Sequence, residues 1–118
     1  MQLDKFLAKL SNSKKIQFSE TLSIIDENYN YYPVRFTNGI GSDTIANDPG
    51  CNEGSCKIFF FAKLHQLPKN VTLTLFGDYY WLEVLKKPTG DNHTNIRNFI
   101  KHGWEGIEFS NEALILRK

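Results

Sequence analysis

The stretch Gly50-Cys51-Asn52-Glu53-Gly54-Ser55-Cys56-Lys57-Ile58-Phe59-Phe60-Phe61-Ala62-Lys63-Leu64-His65-Gln66-Leu67 decides how the chain folds. It opens polar and glycine-rich, then turns strongly apolar. Ser55 is placed to cap a helix, because its hydroxyl accepts from a first-turn amide that has no carbonyl partner. Ile58, Phe59, Phe60, Phe61, Ala62 and Leu64 then leave almost no polar face over an expected helix 55–66. A helix apolar all round belongs inside a core, with other elements packed about it.

A chain of 118 residues is the size of one domain, taken here as residues 1–118. Its residues are 41% hydrophobic and 23% charged, which suits a globular chain able to build a core without staples. A net charge of +1 exerts no general pull toward nucleic acid or a membrane surface. No segment approaches the roughly 20 apolar residues of a membrane span. The N-terminal residues Met1 to Leu7 carry Asp4 and lack the apolar run and cleavage site of a Sec-type signal peptide. Cys51 and Cys56 do not make a disulfide framework, and a bridge between them would close a very short loop.

Upstream of the apolar stretch, Leu3, Phe6, Leu7 and Leu10 follow the i, i+3, i+4, i+7 rule. They predict a short amphipathic helix over 2–10, ended by Ser11-Asn12-Ser13. Ser19 is placed to cap a second helix with Leu22, Ile25 and Tyr29 on its apolar face, and Tyr31-Tyr32-Pro33 breaks it. Val34-Arg35-Phe36-Thr37 alternates as a short strand closed by the turn Asn38-Gly39. Residues 40–53 read as a long surface loop, the mobile part of the chain.

Downstream, Asn70 is placed to cap a helix over 70–86 with Leu73, Leu75, Phe76, Tyr79, Tyr80 and Leu82 on a wide inner face. Gly77 then falls mid-helix, at a cost of about 1 kcal/mol against Ala, and admits a closely packed neighbour. A helix over 93–102 turns Ile96, Phe99 and Ile100 inward and ends at Gly103, with Trp104 as an anchor. Ile107-Glu108-Phe109, the turn Ser110-Asn111 and Ala113-Leu114-Ile115-Leu116 read as a terminal β-hairpin. The expected fold is therefore α+β. It is mainly helical, with about five helices around the 55–66 helix and a small antiparallel sheet near the C-terminus.

Five phrases occur in order: Phe36-Thr37-Asn38-Gly39, Gly54-Ser55-Cys56-Lys57-Ile58-Phe59, Phe76-Gly77-Asp78-Tyr79-Tyr80, His93-x-Asn95-Ile96-Arg97-Asn98-Phe99, and Gly103-Trp104-x-Gly106-Ile107. Together they closely resemble the HopJ family, named for type III secretion effectors of plant-pathogenic Pseudomonas. The resemblance spans about residues 18 to 110, while residues 40–50 match little of the pattern and Cys51 is peculiar to this chain. It implies a small soluble domain, at home in the bacterial cytoplasm and delivered by a type III system into host cells. It carries no established activity with it.

Three constellations offer chemistry. A thiol in the first turn of a helix feels the macrodipole and free amides, which favour thiolate, so Cys56 is a candidate nucleophile. Gly54-Ser55-Cys56 also looks like the opening of the buried helix in papain-type cysteine proteases. His93 would serve there as base, with Asp91 or Asn95 orienting it. Against this stands a plain core cysteine, the commoner role of that side chain. Asp91-Asn92-His93-x-Asn95-Ile96-Arg97 surrounds a helix start, a natural anion site. Arg97 would meet an anion there or pair with Asp78. Asp78-Tyr79-Tyr80 reads as a hydrogen-bond anchor or a binding patch, and Asn38 and Lys57 complete the candidate binding set. His65, His93 and His102 lack metal-ligand spacing, and neither a metal nor a cofactor is expected. The expected function is a non-enzymatic module that binds a host or bacterial protein or a small anionic ligand. The alternative is a small Cys-dependent hydrolase or thiol enzyme using Cys56 and His93.

Overall fold

A computed structural model of the chain describes residues 3–10 and 15–117. The elements run α1 (Leu3–Leu10), α2 (Phe18–Asn28), β1 (Tyr29–Tyr31), β2 (Phe36–Asn38), a 3-10 turn (Gly41–Asp43), β3 (Ile45–Asn47) and α3 (Glu53–Leu64). After them come α4 (Lys69–Thr74), a π-helical segment (Tyr79–Val84), α5 (Thr94–His102), a second 3-10 turn (Gly103–Gly106), β4 (Ile107–Phe109) and β5 (Leu114–Leu116). The result is a single α+β domain. The expected stop of the first helix at Ser11-Asn12-Ser13 lies outside the described residues, as does its first position, Gln2.

The apolar stretch forms α3, beginning at Glu53 rather than Ser55, so Ser55 lies in the first turn and caps nothing. Its three consecutive phenylalanines face three directions. Phe59 meets Phe36, Phe76 and Phe99 at ring-centroid distances of 6.2, 5.3 and 4.9 Å. Phe60 packs edge-on against Phe109 of β4 at 4.9 Å. Phe61 meets Phe6 of α1 and Tyr29 of β1. Apolarity on every side does not bury every side: Glu53, Lys63 and Leu64 are exposed, Leu64 by 47%.

Two small antiparallel sheets replace the single expected one. β3, β2 and β4 form the first, in that spatial order, and β1 pairs with β5 in the second. Phe36 lies opposite both Asn47 and Phe109, and Tyr29 lies opposite Leu116. The expected terminal hairpin is therefore absent. β4 and β5 are neighbours in sequence but join different sheets, with buried Ala113 between them accepting from the Tyr32 amide at 2.8 Å. The stretch read as a loop over 40–53 holds β3. The expected strand 34–37 is shifted to Phe36–Asn38, so Asn38 ends a strand instead of opening a turn.

The expected helix 70–86 is broken in two. Leu75, Phe76 and Gly77 each donate to the carbonyl three residues back, and Gly77 takes φ +61°. The Thr21 hydroxyl donates to the Leu75 carbonyl at 2.9 Å and fixes this turn to α2. The break swings the following residues outward, so Tyr79 is 38% and Leu82 42% exposed instead of facing the core. The close approach expected at Gly77 is present, for a Cβ there would fall 2.6 Å from the Phe18 amide nitrogen and 3.1 Å from the Ile16 carbonyl oxygen. Gly77→Ala is expected to lose about 2 kcal/mol in chemical denaturation, from the left-handed conformation and the forced backbone shift. A loss within a few tenths of a kcal/mol would show that the 15–18 segment yields freely.

Candidate functional site

Two helices begin in the same unusual way. Asn52 precedes α3 at φ 53°, ψ 48°, and His93 precedes α5 at φ 51°, ψ 50°. Asparagine and histidine enter this left-handed region more readily than most side chains. Neither side chain turns back to cap its own helix. The first intrahelical bonds run from the Cys56 amide to the Asn52 carbonyl at 3.0 Å and from the Arg97 amide to the His93 carbonyl at 3.1 Å. The amides of the first turns precede these bonds and have no helical acceptor of their own. They carry the positive end of each helix dipole.

Both starts open on one cleft of about 450 Å³. Asn52, Gly54 and Ser55 line it from α3, and His93, Thr94, Asn95 and Ile96 from α5. Phe18, Phe76 and Tyr79 form its aromatic wall. His93 is held in that wall: its Nε2 lies 2.7 Å from Glu83 Oε1 and its ring lies 5.0 Å from Tyr79.

A network of asparagines sets the two starts relative to one another. Asn38 Nδ2 donates to the Asn95 backbone carbonyl at 2.8 Å and to Asn95 Oδ1 at 3.0 Å. Asn95 Nδ2 donates to Asn47 Oδ1 at 2.9 Å, and Asn47 Nδ2 returns to Asn95 Oδ1 at 3.2 Å. Asn52 Nδ2 donates to the same Asn47 oxygen at 2.7 Å. Asn98 Nδ2 reaches the carbonyls of Asn38 and Asp43. Asn38, Asn47 and Asn95 are buried, where amide pairs are strengthened by the low dielectric and fix geometry. Thus β2 and β3 hold the first turns of α3 and α5 together.

The candidate nucleophile does not share this cleft. Cys56 is wholly buried, and burial pushes its thiol pKa up, overriding the helix start that was expected to lower it. Its neighbours are the Tyr31 hydroxyl, the Val34 backbone and Glu53. The Tyr31 hydroxyl is itself buried without a partner at hydrogen-bonding geometry, and burial raises its pKa too. Cys51 is exposed, and both thiols are free. His93 is engaged by Glu83, Asp91 is exposed with its carbonyl accepting from Thr94, and Asn95 belongs to the asparagine network. With an alkylating probe at pH 8, Cys51 is expected to react at once and Cys56 only on unfolding. Rapid labelling of Cys56 in the folded protein would reverse this assignment.

The candidate binding residues separate as well. Arg97 does not pair with Asp78. It donates to the carbonyls of Asn92, Lys87 and Glu83 and to Asn92 Oδ1, clamping the turn before α5. Asp78 meets Lys15 at 3.0 Å instead. Lys57 pairs with Asp26 at 2.9 Å and lies over the Tyr31 ring. Tyr80 packs on Trp81, while Tyr79, unlike Asp78 and Tyr80, reaches the cleft. The sequence reading passed over Phe18, Asn47, Asn52 and Glu83. A buried asparagine and a loop asparagine look alike in sequence, and Glu83 carries no motif.

Set against models of known families, the chain matches that of the HopJ type III effector protein over residues 3–114. No curated protein matches it. Among solved structures, it is similar to the crystal structure of a protein of unknown function, VPA0580. The two share 45% sequence identity and superpose with a TM-score of 0.93, over 99% of this chain and 95% of the other.

Proposed function

The chain belongs to the HopJ type III effector protein family, and from this premise we propose that it is a binding module without catalytic chemistry of its own. Its ligand is a small molecule bearing a carboxylate or similar anionic acceptor. The observation that carries this reading is the meeting of two uncapped helix starts in one cleft beside an aromatic wall. A ligand-binding cleft is usually apolar with a few convergent polar groups. Here the first-turn amides supply donors and Phe18 and Tyr79 supply a face for an apolar body. On this reading α3 is the axis of the domain: its phenylalanines support three neighbouring elements and its first turn floors the cleft. Delivery through a type III apparatus, with any host protein as partner, is a proposal resting on the family name.

The test is a titration followed by amide NMR, with sodium benzoate as probe. Benzoate is expected to shift the amides of Gly54, Ser55, Thr94 and Asn95 together. Ser55→Phe, which fills the cleft from a half-buried position, is expected to weaken binding at least about 10-fold while leaving the spectrum folded. Shifts scattered over surface lysines and unchanged in Ser55→Phe would overturn the reading.

A further inference from the structure

The cleft has a neighbour. A second hollow of about 250 Å³ is lined by Gln17, Ser19, Asp78 and Glu83, and Phe18 and Tyr79 line both spaces. The Phe18 ring spans the gap between them. On one side it lies over the first turn of α3, so close that a Cβ on Gly54 would fall 2.8 Å from its Cζ. On the other it packs edge-on against Tyr79, with ring centroids 4.9 Å apart. Its backbone is pinned by the close approach at Gly77. The ring is held on two sides and its backbone at a third point, so it is a wall rather than a free rotor.

We propose that Phe18 is the specificity-determining partition of the cleft, dividing one elongated hollow and limiting the ligand to the length of the larger part. The inference rests on the ligand-binding reading above. Beyond the ring stand two carboxylates, Asp78 paired with Lys15 and Glu83 with His93. A longer ligand admitted past the ring would bring a neutral or cationic end to this acidic part and leave its anionic end at the helix starts. Gly54 serves the partition by carrying no side chain, since any Cβ would push the ring away.

Two probes of different length test this: benzoate, and biphenyl-4-carboxylate, which keeps the acceptor and adds one ring. Wild-type protein is expected to bind benzoate and to bind the longer acid at least about 10-fold less tightly. Phe18→Ala is expected to raise the affinity for biphenyl-4-carboxylate relative to benzoate at least about 10-fold. Gly54→Ala, which displaces the ring without deleting it, should move the same ratio in the same direction. It keeps the test alive if Phe18→Ala does not fold. If neither variant changes the ratio while benzoate still binds, the partition is wrong and the ligand-binding reading stands. If benzoate binds none of the three proteins, the ligand-binding reading fails and the specificity role of Phe18 falls with it.

Discussion

Phe59→Ala is expected to cost about 3–5 kcal/mol in urea denaturation, the range for removing a wholly buried phenylalanine. Phe59 has no exposed surface and sits among Phe36, Phe76 and Phe99. Those rings come from β2, the turn after α4, and α5. Their backbones are tied down separately, β2 by its two strand partners and the turn by Thr21. The void therefore closes poorly, and the cost falls toward the upper end. A domain of this size has about 5–15 kcal/mol in total, so the variant would unfold at a much lower midpoint. A loss under 1.5 kcal/mol would mean that the surrounding rings repack.

The second large effect is expected at Asn95. Its side chain takes part in three buried hydrogen bonds, accepting from Asn38 and Asn47 and donating to Asn47. At about 1 kcal/mol each, Asn95→Ala is expected to cost roughly 3 kcal/mol. Asn38 and Asn47 keep one donor contact each, to the Asn95 carbonyl and the Phe36 carbonyl, which holds the loss below that of fully stranded amides. Asn95→Asp is informative beside it. A carboxylate still accepts from both neighbours but turns an oxygen toward Asn47 Oδ1 where a donor stood. It should be nearly as damaging as alanine at pH 7 and recover in part when protonated at acid pH. Equal stability of both variants with wild type would remove the network as the feature that sets the two helix starts.

Much of the framework was legible from apolar spacing. Phe6 and Leu10, Ile25, and Ile96 and Phe99 all face the core where the periodicity put them. The errors have a common cause in contacts distant along the chain. Gly77 breaks its helix because the 16–18 backbone presses on it, and no local pattern records that pressure. Phe109 and Leu114 look like opposite arms of a hairpin because two turn residues separate their strands. Their partners, Phe36 and Tyr31, lie more than seventy residues away in sequence. Cys56 was weighed as a helix-start nucleophile against a core cysteine, and its burial fits the core reading. The start of α5 was singled out from its polar residues, and His93 and Asn95 line the cleft. Its counterpart on α3 was missed, because Asn47 and Asn52 lie in a stretch that reads as loop.

The separation of β4 from β5 bears on how the chain is made. Among the described residues β1 pairs with β5 alone, and β2 likewise waits for β4 to gain its second neighbour. Neither sheet is complete until β4 and β5 have left the ribosome. A nascent chain stalled near Gly106 would hold its helices and the β2–β3 pair but leave the edge of β1 open. Such late closure of long loops makes folding slow relative to local helix formation. Assembly thus begins in helices and ends at β5, and loss of residues 114–116 would undo far more than its length suggests.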